Sequence, residues 1–87
     1  MKLVEVSMNT QAAQNRSKFH RLARMIFEWI NEGIGETLLR QRLMTRAPAD
    51  VDVTEEGATV ICFGLQTPPA RSIYQAIINW AHMAETA

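Results

Sequence analysis

The sequence predicts an α+β fold: one two-layer domain with elements in the order β-α-α-β-β-α. A three-stranded, mainly antiparallel sheet is expected to carry the helices on one face. Three observations predict it. Apolar residues recur at helical spacing over residues 19–30 and again over 73–84. Between them, residues 51–65 alternate about a charged turn. Gly33, Gly35, Pro48 and Pro68-Pro69 punctuate the chain between these stretches. At 87 residues the chain is expected to be a single domain, 1–87. A domain of this size buries roughly 60% of its unfolded surface. At roughly 0.05–0.15 kcal/mol per residue it is stable by about 4–13 kcal/mol.

Residues 3–8 read as a short first strand, with Val4, Val6 and Met8 on one side and Leu3, Glu5 and Ser7 on the other. Residues 9–15 are polar with two alanines, either a loop or a first helical turn capped by Asn9 or Thr10. The first clear helix follows, with Phe19, Leu22, Ala23, Ile26 and Ile30 in one stripe and Arg21, Arg24 and Glu28 opposite. Gly33 suits the left-handed position that ends it. A second helix is expected from about Ile34 or Glu36 to Arg46, with Leu38, Leu39 and Leu43 inward. Glu36 at its start and its arginines toward its end both favour the helix dipole.

A hairpin comes next, with Glu55-Glu56-Gly57 as a three-residue loop and a return strand from Ala58 to Leu65. That register pairs Val53 with Thr59 and Val51 with Ile61. It turns Val60 and Cys62 to the outer face, an apolar patch suited to a homodimer or partner. A two- or four-residue loop would move the return strand's side chains to the opposite face. The return strand is apolar on both faces and is expected to be central. Thr67-Pro68-Pro69 is expected to open the last helix, with Ile73, Ala76, Ile77, Trp80 and Ala84 buried. Met25 and Met44 are expected to fill gaps in the core.

Nine Lys and Arg balance nine Asp and Glu, so no net field steers the protein toward a polyanion. The zero conceals a dipole. Residues 1–46 hold eight cations against four acids, a net +4, and residues 47–87 hold one against five, a net −4. Arg16, Lys18, Arg21, Arg24, Arg40, Arg42 and Arg46 of the helical pair are the candidate partner- or nucleic-acid-binding residues. The opposite charges are also suited to attraction between the two halves, within or between subunits.

Cys62, the single cysteine, reads as a buried hydrophobe and excludes an intrachain disulfide. His20 and His82, 62 positions apart, give no metal spacing. Adjacent Glu55 and Glu56 point apart in a tight turn, and no serine sits in a nucleophile elbow. Neither a catalytic site, a metal nor a cofactor is expected. The absence of a secretion signal and of a 20-residue apolar run makes a cytoplasmic location the expectation and a membrane span none.

Gly35-Glu36-Thr37-Leu38, the stretch Asp50 to Ile61 and the helix Ala70 to Trp80 together give an order that resembles the type I K-homology fold. The resemblance covers roughly residues 30–80. It implies a single-stranded nucleic-acid module whose two helices are joined by a G-x-x-G loop approaching phosphate. The corresponding stretch here is Glu32-Gly33-Ile34-Gly35, with a carboxylate in place of the first glycine and no basic residue. A helix pair followed by a hairpin also resembles a winged helix, with Arg40, Arg42 and Arg46 toward DNA and an adverse Glu55-Glu56 wing tip. The balance favours a small non-catalytic interaction or regulatory protein. It would dock on a larger protein partner as an adaptor, or as an inhibitor of the kind phages and other mobile elements encode. The alternative is a nucleic-acid-binding module, K-homology-like, for RNA or single-stranded DNA, using the basic helical pair.

Overall fold

The computed structural model describes residues 2–87, with side chains from Arg16 onward. Three helices and a three-stranded antiparallel sheet follow the order α1 (Lys2–Asn31), α2 (Glu36–Arg46), β1 (Ala49–Thr54), β2 (Gly57–Cys62), β3 (Leu65–Gln66) and α3 (Ile73–Thr86). The α+β class is as expected, but the first strand is not formed. Residues 3–8 are instead the opening turns of a 30-residue helix. Neither glycine nor proline occurs before Gly33, and a short alternation does not outweigh uninterrupted helical propensity. The facing expected of Val4, Val6 and Met8 falls outside the described side chains.

Helix α1 presents the expected stripe, with Leu22, Ala23 and Ile26 buried and Phe19 and Ile30 packed at its margin. It ends as its sequence requires. Gly33 takes φ +81° and its N–H bonds back to Ile30 at 2.9 Å. Leu39 and Leu43 of α2 are fully buried, whereas Leu38 is 42% exposed and belongs to the helix flank. Helix α3 contributes Ala76, Ile77, Trp80, Ala81 and Ala84 to the same core and packs along α1. Its start lies later than expected. Thr67 is no cap; Ser72 is, its Oγ accepting from Gln75 N–H at 3.1 Å. Glu36 of α2 accepts from Tyr74 N–H at 3.1 Å, so a second free amide of α3 is satisfied from a different helix.

The sheet order is β1-β2-β3, with β2 central as expected. Its register differs from the expected one. Thr54 pairs with Gly57, Val53 with Ala58, Val51 with Val60 and Ala49 with Cys62. Only Glu55 and Glu56 lie in the turn, and the one-residue change reverses the faces of β2. Ala58, Val60 and Cys62 are buried beneath the helices, while Ile61 is exposed on the outer face. Asp50 and Asp52 are exposed on edge strand β1, where charge discourages pairing with a foreign strand. The outer face therefore carries Asp50, Asp52, Thr59 and Ile61 in place of the Val60 and Cys62 patch that was expected to suit a dimer. Val53, on the inner side, lies toward the hairpin's free end and is 63% exposed.

The return strand also stops earlier than expected. Phe63 and Gly64 form a two-residue turn with φ +51° and +78°, and β3 then pairs back on β2. Positive φ at both central residues fits the native twist of a tight hairpin. Beyond β3, Thr67 continues the ladder. Its N–H donates to Val60 O and its Oγ accepts from Val60 N–H, both at 2.9 Å. Thr67→Val keeps the shape and removes the acceptor, leaving a buried amide unpaired. The expected loss is about 1–3 kcal/mol in urea unfolding, with the slope of the transition unchanged.

Candidate interaction surface

An aromatic series links three elements of the fold. Phe63 at the β2–β3 turn meets Phe19 of α1 at a centroid distance of 6.4 Å. Phe19 in turn meets the edge of Trp80 of α3 at 6.2 Å. Trp80 Nε1 donates to Leu65 O at 3.0 Å, which fixes α3 against β3. This series places α1 so that its cationic side lies next to Phe63. The Lys18 ammonium stands 5.7 Å from the Phe63 ring centre, within cation–π range.

Five of the seven candidate cations gather around Arg21. Arg16, Arg21 and Arg24 line a shallow depression on α1 together with His20 and Ser17. Lys18, Arg21 and Arg46 line a second, narrower groove of about 200 Å³, where α1 meets the end of α2 and the Phe63 turn. Arg46 reaches this place because α2 delivers its C-terminal turn there. None of the five forms an ion pair among the described residues. The two other cations are elsewhere. Arg42 Nη1 bonds Glu32 Oε2 at 3.0 Å and its guanidinium lies 6.0 Å from the Trp29 ring centre. It reaches the end of α1 and the α1–α2 loop through this solvent-exposed pair. Arg40 lies on another part of α2, beside Thr37, Gln41 and Met44.

Residue type and spacing identified the cations but missed the floor of the narrow groove. Leu22, Met25 and Phe63 line it, and Met25 stands outside the core it was expected to fill. Met44, assigned the same role, is 48% exposed. The usable signal for Phe63 was the glycine that follows it, which marks a turn at the end of an apolar run.

The acidic hairpin occupies other ground. Glu55 and Glu56 stand at the start of β2 and Phe63 at its end, about 20 Å apart at a strand rise of roughly 3.3 Å per residue. Among the described residues the acidic hairpin makes no ion pair with the basic helices. The hairpin acids thus stand apart from the cations, whereas Glu28 and Glu85 line a depression together with Arg24.

Cys62 is fully buried, and burial pushes its thiol up to about 11, so it stays protonated and poorly nucleophilic at neutral pH. His82 packs on Phe27 at 5.0 Å, and His20 faces a depression of about 400 Å³ with Arg24, Glu28 and Glu85. Among the described residues no three His, Cys, Asp or Glu side chains gather as a metal site. Nor is any described helix long and apolar enough to cross a membrane. Fold and surface together define a small α+β domain in which five cations line two depressions that share Arg21. Compared with protein-family models, with curated proteins and with solved structures, the chain matches none.

Proposed function

We propose that this is a small, non-catalytic interaction protein that docks through its cationic face on an acidic surface of a larger protein partner. One observation carries the reading: Arg16, Lys18, Arg21, Arg24 and Arg46 line two depressions that share Arg21, without ion-pair partners among the described residues. Such a group of like charges is held at some cost in mutual repulsion, which an acidic partner relieves. The extent of the face favours a protein over a long polyanion. From Arg16 to Arg24 the helix rises only about 12 Å at 1.5 Å per residue. A nucleic acid continuing past this zone would meet a chain of zero net charge with an exposed acidic hairpin.

The test is a paired capture experiment from a host lysate at low ionic strength. It compares the wild type with the double variant Arg21→Glu, Arg24→Glu, whose fold is checked by circular dichroism. A stoichiometric protein partner is expected with the wild type, released by salt and reduced at least about tenfold in affinity by the double reversal. Equal retention by the variant excludes the cationic face. Tight, salt-dependent binding of oligonucleotides with no protein partner would replace the reading by the nucleic-acid one.

A further inference from the structure

The geometry points to the groove between α1, the end of α2 and the Phe63 turn as an anchor site. It would take one large apolar side chain of an acidic partner segment. This inference rests on the cationic docking face and names the chemistry of what meets it there.

Three observations carry it. The groove has two chemistries in fixed relation: an apolar floor of Leu22, Met25 and Phe63, and a rim of Lys18, Arg21 and Arg46. Its volume, about 200 Å³, is of the order of a single large side chain rather than a cofactor or a folded element. Charge complementarity then fixes the surroundings of that side chain. Carboxylates flanking an apolar anchor meet the three cations as the anchor reaches the floor. A lone apolar peptide would leave the rim without partners, and a purely acidic one would leave the floor covered but unfilled.

The floor is suited to an aliphatic or aromatic side chain more than to a stacked nucleobase. Met25 is a flexible, polarizable thioether that adapts to different shapes. The Phe63 ring already has Lys18 over it and Phe19 beside it. Phe63 also holds a left-handed backbone, φ +51°, where asparagine or glycine is unstrained and a bulky residue costs roughly 1–2 kcal/mol. Its ring packs beside Phe19 within the aromatic series, which holds the Phe63 side of the floor in place while Met25 adapts. A floor preformed on that side lowers the ordering cost of binding.

Fluorescein-labelled glutamate-rich peptides test the site by anisotropy at low and high salt. The three peptides differ only at one central position, which is phenylalanine, leucine or alanine. The wild type is expected to bind the phenylalanine and leucine peptides about tenfold more tightly than the alanine peptide. Met25→Gln, which keeps the charge and alters a side chain outside the core, is expected to remove that preference. Binding of the alanine peptide to this variant is expected to remain weak and salt-dependent, because the rim cations are retained. Arg46→Glu is expected to weaken all three. If the three peptides bind the wild type equally and salt-dependently, the anchor site is overturned while the cationic docking face stands. If none binds at low salt, or if a single-stranded oligonucleotide of equal charge binds more tightly than all three, both are overturned.

Discussion

Trp80→Ala is expected to cost about 3–5 kcal/mol, a large part of the roughly 4–13 kcal/mol that a chain of this length holds. Trp80 is the largest fully buried side chain, and three separate consequences follow from its removal. A cavity opens where α3 packs on α1, and neighbouring side chains fill it only in part. The edge contact with Phe19 is lost, and through Phe19 the support of the Phe63 turn weakens. Leu65 O also loses the indole N–H that ties β3 to α3. Urea unfolding should show a midpoint shifted far down, or no folded baseline at 25 °C. Trp80→Phe separates these effects, since it retains most of the volume and loses the hydrogen bond. It is expected to recover more than half of the lost stability. Equal losses for the two variants would show that the hydrogen bond, not volume, holds α3 in place.

Gly57→Ala is expected to be the second largest effect, about 3 kcal/mol or more, for a reason unconnected with the core. Gly57 opens β2 with φ +133°, a conformation that side chains rarely adopt. A Cβ there would stand 2.5 Å from the Ala70 carbonyl oxygen and 3.2 Å from its nitrogen. The neighbouring hydrogen bonds, Ala58 N–H to Ala70 O at 2.9 Å and Ala70 N–H to Ala58 O at 2.8 Å, hold the second edge of β2. Strain of roughly 1–3 kcal/mol and the displacement of two bonds act together. Gly35 provides the contrast. It is the N-cap of α2 with φ −81°, no side-chain cap bond and open space around its Cβ position. Gly35→Ser is therefore expected to raise stability slightly, by a few tenths of a kcal/mol. Thermal melts of the two variants should move in opposite directions. A Gly57→Ala protein melting with the wild type would show that the Ala70 segment yields without loss.

What the sequence revealed and what it withheld divide along physical lines. The stripes of α1 and α3, from Phe19 to Ile30 and from Ile73 to Ala84, were legible because helical periodicity is a local property of many residues. Gly33 was legible because one residue type answers one backbone requirement. The first strand was misread because six residues of partial alternation do not determine an element; the helix that includes them is set by thirty. The hairpin register turned on whether Gly57 belonged to the loop or to the strand. A single residue there decided which face of β2 is buried, and with it which side chains form the outer surface. Thr67 was misassigned because a threonine before proline suits a helix cap, while its ladder bonds to Val60 depend on a strand seven residues away. Of the interaction surface, the cations were legible individually. That five of them surround Arg21, while Arg42 pairs with Glu32, depends on how α2 docks on α1. Periodicity does not report that docking.

The two helices that contribute most of the core's contacts with one another come from distant parts of the chain. Leu22, Ala23 and Ile26 come from α1, and Ala76, Ile77, Trp80, Ala81 and Ala84 from α3, about fifty residues later. During synthesis the first helix therefore emerges with its apolar stripe uncovered. The hairpin that follows has its inner face bare until α3 arrives. A two-stranded ribbon and a helix pair of this size are marginal alone. Native structure is thus deferred until the segment bearing Trp80 has left the ribosome, and the nascent chain spends that interval exposed to chaperones and proteases.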